Sequence, residues 1–458
     1  MVSMKRKIGS TYFNDELVYD GNDLGAVYTK EKTTFRIWTP AAGKVSLNLY
    51  EQGDGDNLIE TIPMTADVKG TWVCEKTGDL NGVYYTYSVQ IGNKVNEVVD
   101  LYARSAGVNG NRGEILDLQA ADPAGFDSDV RPAFNNATDA VIYEVHIRDL
   151  SSDASSGIRN TGKFLGLTER GTKNREGLAT GLDHILDLGV THVQILPSCD
   201  YATVDETKPD TAQFNWGYDP KNYNVPEGSY STDPYHGEVR VNEMKQMIKT
   251  LHENGIRVNM DVVYNHTYHL ADSWFQKTVP DYYYRKNGNH YSDGSGCGNE
   301  TASERAMMRK YIVDSVVYWA TEYHIDGFIL NPLVIPIESV HADPVLKKTK
   351  IMEHELGFQT VMRRFLKGDE GMIPDVIYWL KHHSEKQGIF NCITDQNGFT
   401  LNDLVSYDSK HNEENGEKNQ DGPDYNYSWN CGAEGPSRKK AVTELRKHQI
   451  YNAFFLLL

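Results

Sequence analysis

Three stretches of this 458-residue chain interleave aromatic rings with amides, carboxylates and histidine. The first is Phe214-Asn-Trp-Gly-Tyr-Asp-Pro220, followed by Asn222-Tyr-Asn-Val-Pro-Glu-Gly-Ser-Tyr230. The second, Asp261-Val-Val-Tyr-Asn-His266, closes an apolar run. The third is Gly398-Phe-Thr-Leu-Asn-Asp-Leu-Val-Ser-Tyr407, with Lys410-His-Asn-Glu-Glu-Asn-Gly-Glu417 and Ser428-Trp-Asn-Cys-Gly-Ala-Glu-Gly-Pro436 behind it. Flat rings beside short hydrogen-bonding side chains suit stacking on, and polar contact with, a neutral ligand such as a sugar. Each stretch also has a bland reading. A Trp-Gly-Tyr turn more often packs than binds, and an Asn-His pair at a strand end serves structure as readily as ligand.

Composition narrows the choice. Lys and Arg number 46 against 64 Asp and Glu, a net charge of −18 that argues against nucleic acid or an anionic membrane as main partner. Tyr (28) and Trp (7) are too abundant for a disordered chain and point again to neutral ligands, although most of the rings are expected in cores. Cys74, Cys199, Cys297, Cys392 and Cys431 form no CxxC pair and no zinc spacing, so no metal ligand and no cofactor is expected and a reduced compartment fits best. With no secretory h-region after Lys5-Arg-Lys7 and no apolar run of spanning length, the expectation is a cytoplasmic protein.

The elements that must position these residues fall into two patterns. Residues 1–20 read as a leader and 21–120 as a β-sandwich of short alternating strands, such as Thr33–Trp38, Lys44–Tyr50, Trp72–Cys74 and Val83–Val89. Residues 121–138 read as a linker rich in Pro and Asn. From 139 to 458 strands alternate with helices. Strands are expected at Val141–Ile147, His192–Pro197, Arg257–Val263 and Ile325–Leu330, and helices at Gly177–Leu188, Val241–Asn254 and Ser303–Tyr323. That alternation implies parallel strands joined by crossovers, an α/β TIM-like barrel with its chemistry at the strand C-termini.

Taken together, the three stretches resemble the α-amylase superfamily of glycoside hydrolases, in its debranching branch. Residues 21–330 resemble a type I pullulanase. Phe35-Arg-Ile-Trp-Thr-Pro40 and Val99-Asp-Leu-Tyr-Ala-Arg104 are similar to hallmarks of that family's carbohydrate-binding module, and Phe214–Pro220 to its Tyr-Asn-Trp-Gly-Tyr-Asp-Pro signature. Residues 337–458 resemble isoamylase or glycogen-debranching relatives, most clearly at Arg363-Arg-Phe-Leu-Lys-Gly-Asp369. The resemblance implies an immunoglobulin-like carbohydrate-binding sandwich before a (β/α) barrel, acting on α-1,6 branch points of pullulan, amylopectin or glycogen by retaining hydrolysis. Retention needs two carboxyl groups about 5–5.5 Å apart, one nucleophile and one proton donor. The resemblance places Tyr143, Asn215, Trp216, Tyr218, Asp261 and His266 in the sugar pocket, with Tyr218 stacking at the cleavage position. Trp38 and Trp72 are candidate glucan platforms in the sandwich, with burial the alternative for Trp38.

The chain departs from the family at its catalytic positions. Gly-Phe-Arg-x-Asp reads Gly327-Phe-Ile-Leu-Asn-Pro332 here. Either Ile329 and Asn331 replace the Arg and the nucleophile, or those residues are deleted and Ile329-Leu-Asn-Pro332 belongs to a later segment. The acid region reads Lys350-Ile-Met-Glu-His-Glu-Leu-Gly357, which puts His354 at the proton donor. Glu353 and Glu355 flank it, but strand alternation points both to the other face. The third acid becomes Asn397 and a substrate-binding His becomes Gln396. Asp261 loses the Arg that it braces in the family. Ala453–Leu458 resembles the seventh barrel helix, so an incomplete barrel lacking its last βα unit and C-terminal sandwich is expected. Its open edges would lie at Val141–Ile147 and Phe390–Thr394, giving an oligomer or a poorly soluble chain. Three readings follow: an α-glucan-binding protein with catalysis lost or impaired, an active hydrolase of α-1,6 branch points, and a decayed gene fragment.

Overall fold

The computed structural model describes residues 15–330, 340, 342–343, 346, 350–354, 356–382 and 388–457. The chain forms two compact units, one of 1–211 with 215–350 and the other of 212–214 with 351–458. The first unit opens with the sandwich. One sheet orders β1 (Gly25–Tyr28), β2 (Lys32–Trp38), β6 (Thr71–Thr77) and β5 (Thr65–Ala66). The other orders β4 (Leu58–Pro63), β3 (Lys44–Tyr50), β7 (Tyr84–Ile91), β10 (Gly113–Glu114) and β9 (Ser105–Ala106), with β8 (Lys94–Val98) also on β7. Period-two alternation sends Phe35 and Ile37 inward to meet Val45, Leu47, Tyr85 and Val89. A fully buried Phe stabilises such a core by roughly 1.5–3 kcal/mol. Tyr85 and Tyr87 carry polar tips into this core, and both hydroxyls donate to Asp100 Oδ2, at 3.0 and 3.1 Å.

Trp38 is no glucan platform. It is 4% exposed, its Nε1 donates to the carbonyls of Leu17 and Lys69, and its edge meets the Tyr282 ring at 4.8 Å. The last residues of the 1–20 segment are thus packed onto the sandwich. Trp72 is partly buried against the sandwich core.

The sandwich shares its unit with the first barrel strands because the two are bonded across their joint. Thr39 Oγ1 donates to Thr278 O at 2.7 Å, Asn96 Nδ2 to Lys277 O at 3.0 Å, and the Arg104 guanidinium lies 3.8 Å from the Tyr318 ring centroid. The compact units therefore part near residue 350 and not at the 121–138 linker.

In the barrel half, β11 (Ile142–Val145), β12 (His192–Ile195), β15 (Arg257–Asp261) and β18 (Gly327–Ile329) are parallel neighbours in that order. The hairpin of β13 (Cys199–Tyr201) and β14 (Pro220–Pro226) leaves after β12, and the short pair β16 (Lys286–Asn287) and β17 (His290–Tyr291) follows β15. Helices α1 (Gly181–Asp187), α2 (Gly237–Glu253), α3 (Trp274–Thr278) and α4 (Ala306–Glu322) accompany these strands. Val241, Met244, Ile248 and Leu251 form the buried stripe of α2, which stops at Asn254-Gly255 with Gly255 at φ +78°. The register sets Tyr143, Val193 and Val258 in one row and Glu144, Gln194 and Asn259 in the next, on opposite faces of the sheet.

In the second unit β19 (Lys350–His354) pairs in parallel with β20 (Gly388–Phe390). The strand expected over 390–394 thus ends at Phe390, and residues 391–395 continue as loop. Helices α5 (Leu356–Lys367), α6 (Ile373–Lys381), α7 (Leu401–Leu404) and α8 (Lys440–Leu457) pack around Phe358, Met362, Ile393, Leu404 and Ala453. Arg363 is buried there and donates from Nε to Ile393 O at 2.6 Å. Among the described residues no helix is long and apolar enough to cross a membrane.

Candidate functional site

Five of the six expected binding residues form one connected group at the C-terminal end of β15. Asp261 is the last residue of that strand, and the chain beyond it carries His266. The segment before β14 carries Asn215, Trp216 and Tyr218. Gly217 makes the approach possible: it holds φ +87°, and a Cβ there would lie 2.5 Å from Pro197 O. The Trp216 and Tyr218 rings lie 5.2 Å apart at 59°, and Trp216 is 40% exposed. Trp216 Nε1 donates to Asp219 Oδ2 at 2.6 Å. The Tyr218 hydroxyl donates to Asp261 Oδ2. His266 Nε2 meets Tyr218 O at 2.8 Å, and Tyr223 OH donates to His266 O at 2.6 Å.

Two buried polar atoms of this group have no hydrogen-bond partner among the described residues: Asn215 Nδ2 and His266 Nδ1. Burial pushes the His266 imidazole below its ordinary value, which favours the neutral ring. With Nε2 facing a carbonyl, Nε2 carries the proton and Nδ1 is left an acceptor. An unmatched buried donor and acceptor beside the exposed Trp216 ring suit a ligand hydroxyl, which can satisfy either.

Asp261 is 6% exposed, and burial raises its carboxyl to about 7 against the counter-effect of the Tyr218 hydrogen bond. Among the described residues it makes no ion pair. Its register partner on β18 is Ile329, an alkyl side chain that offers no charge, and Val262 N donates to Ile329 O at 3.2 Å.

Tyr143 does not join this group. Its ring lies 6.1 Å from that of His184 on α1, on the helix side of the sheet. Strand alternation instead turns Glu144 and His146 to the other face. Gln194 Nε2 donates to Glu144 Oε2 at 3.0 Å. His146 Nε2 reaches Asn215 O at 2.6 Å and the Tyr230 hydroxyl at 3.3 Å, so His146 holds the backbone of the Asn215 segment. Reading period two through Tyr143-Glu-Val-His146 would have found it.

Of the aligned catalytic positions, Asn331 lies outside the described residues. His354 ends β19, with its side chain outside them as well. Asn397 is exposed in a turn, its backbone N–H donating to Asp395 Oδ1 at 2.9 Å. Among the described residues one carboxylate cluster, Asp200 with Glu206 and Glu227, has the closeness of a metal site. The Arg240 guanidinium occupies it, 3.4 Å from Asp200 and 3.1 Å from Glu206, while Glu227 accepts from the backbone of Tyr201 and Ser229.

Comparison with known proteins agrees with this geometry. Residues 23–103 match the family model for carbohydrate-binding module 48 (isoamylase N-terminal domain), and 160–335 the model for the alpha amylase catalytic domain. A pullulanase of Bacillus subtilis (strain 168) is 44% identical over 335 residues, 73% of this chain and 45% of its own length. The chain thus spans about half the length of that relative. The chloroplastic isoamylase SU1 of Zea mays is 27% identical, covering 95% of this chain and 66% of its own. A crystal structure of pullulanase from Paenibacillus barengoltzii, in complex with maltohexaose and alpha-cyclodextrin, superposes with a TM-score of 0.82 at 36% identity, over 97% of this chain and 82% of that one. A carbohydrate-binding sandwich followed by an amylase-type barrel sheet, superposing on solved relatives over most of both chains, means that this protein belongs to the pullulanase family of the α-amylase superfamily.

Proposed function

We propose that the chain binds α-glucan at the Asn215–His266 group and has lost, or nearly lost, the hydrolysis of α-1,6 branch points. The observation that carries the binding half is the pair of unpartnered atoms, Asn215 Nδ2 and His266 Nδ1, beside the Trp216 and Tyr218 rings. The loss of catalysis is supported by Ile329 beside Asp261 and by the amide or imidazole types of residues 331, 354 and 397. Retaining chemistry asks one carboxylate to attack the anomeric carbon and another to protonate the leaving oxygen. A neutral amide supplies neither the negative charge for attack nor an acidic proton.

The test is release of reducing ends from pullulan, set beside retardation on an amylopectin affinity gel. The expected result is turnover at least about 10⁴-fold below that of the Bacillus subtilis pullulanase, the scale of losing a catalytic group outright. Retardation is expected and should weaken in Asn215→Ala and His266→Ala. Turnover near the relative's rate would overturn the loss of catalysis and favour the active hydrolase. Identical mobility with and without amylopectin would overturn the binding.

A further inference from the structure

A cavity of about 230 Å³ opens beside the candidate site without sharing Asn215, Trp216, Tyr218, Asp261 or His266. Its walls include Leu101 from the sandwich segment, Ala202 and Pro220 from the hairpin region, and Tyr268, His269 and Trp274 from the chain after β15. The polar groups around it are largely committed. Lys221 Nζ donates to Asn109 O and Asn111 Oδ1, both at 2.7 Å. Asn222 Nδ2 donates to Gly110 O and Asp200 Oδ2, and Tyr223 OH to His266 O. Lys277 pairs with Asp272 at 3.6 Å.

Two features remain for a ligand. Trp274 Nε1 is buried and has no hydrogen-bond partner among the described residues. The Lys221 and Lys277 ammonium groups flank its ring at 5.7 and 5.1 Å from the centroid, which fixes the indole in place. Tyr268 is 38% exposed, and its ring stacks on that of His269 at 4.0 Å. A ring platform and one unpartnered N–H donor, among walls whose other polar groups are mostly paired, suit a neutral molecule with an apolar face and an oxygen acceptor. The volume is below the roughly 300–1,000 Å³ of a drug-sized pocket. It suits one or two pyranose rings, whose C–H faces stack on tyrosine and whose oxygens accept from indole.

We propose that this cavity is a second saccharide site, taking a mono- or disaccharide of neutral hexose between the sandwich segment and the barrel half. The choice of glucose units as its hexose rests on the α-glucan reading above. Because residues of the sandwich segment and the barrel half both line it, a bound sugar ties the two together and stabilises the folded unit by mass action.

Maltose titrated into the fluorotryptophan-labelled chain tests this by fluorine NMR, with Trp274→Phe and Trp216→Phe assigning the two signals. The Trp274 signal should move saturably and should still move in Trp216→Ala. Tyr268→Ala, an exposed position, should weaken the Trp274 response roughly fivefold, the scale of one aromatic contact. Ala202→Phe should abolish it by filling the cavity, with an unchanged melting temperature showing that the fold is intact. A Trp216 signal that moves while Trp274 stays still would overturn the second site and leave the α-glucan reading standing. A Trp274 response that disappears in Trp216→Ala would overturn it as an echo of the first site. If neither signal moves, both readings fall.

Discussion

Asp261 shows what burial does to a carboxyl with no charged partner. Its register partner is Ile329, which offers no balancing charge. Without that charge, burial governs, and the carboxyl is raised to about 7 from an ordinary value of about 3.9. Between those values the folded chain holds the proton that the unfolded chain has released. The stability from this group is therefore complete below about pH 4 and is lost as pH rises through about 7. Asp261→Asn keeps an acceptor for Tyr218 and removes the titration. Relative to wild type its melting temperature should rise by roughly 2–4 °C for each kcal/mol recovered as buffer is taken from about pH 5 to about pH 8. Melting curves that shift in parallel at both pH values would show that Asp261 is ionised in the fold at no cost.

At the scale of elements, the 121–138 linker is tied to the barrel half by a buried imidazole. His252, near the end of α2, meets Asp129 Oδ2 through Nδ1 at 2.7 Å and Asp326 Oδ2 through Nε2 at 3.0 Å. His324 Nδ1 also reaches Asp129, at 2.8 Å, and Arg131 and Arg257 lie 3.9 and 3.6 Å from Asp326 Oδ1. Burial alone would lower His252, but the hydrogen bonds and charges of Asp326 and Asp129 outweigh it and raise the ring above its ordinary value. The sign is that of a raised cation. Its stabilisation is complete below about pH 6.5 and is lost as pH climbs through the higher folded value. His252→Gln should cost about 3 kcal/mol in urea unfolding at pH 6, the low end for breaking a buried charged pair. The difference between variant and wild type should narrow at pH 9. A gap of equal size at both pH values would mean that the ring is held neutral.

At the scale of the whole molecule, a net charge of −18 opposes self-association while the second unit displays apolar surface. Tyr451 and Phe455 on α8 are each 72% exposed, with Phe454 at 49%, and Ile373 on α6 is 64% exposed. Side chains of this size concentrated on α6 and α8 exceed the single exposed apolar residues of an ordinary surface. The purified chain should bind hydrophobic dye and sediment as an oligomer at micromolar concentration. Tyr451→Ser with Phe455→Ser should reduce both without lowering the melting temperature. A dye-silent monomer would show that this surface is innocuous.

The sequence alone was enough for the sandwich, the parallel order of the first barrel strands and the closeness of most of the Asn215–His266 group. Those features follow from local periodicity and from motifs such as Phe214–Pro220 and Asp261–His266, whose residues are near one another in the chain. It misplaced what depends on distant partners. Trp38 stays open between glucan platform and core until Leu17, Lys69 and Tyr282 close over it. Tyr143 reads as a pocket residue until the register turns it toward His184 and turns His146 toward Asn215. Which buried atoms lack partners, at Asn215, His266 and Trp274, was decided only by tertiary structure. A side chain's hydrogen bonds are satisfied or left open by groups dozens to hundreds of residues away, and no local pattern encodes that count.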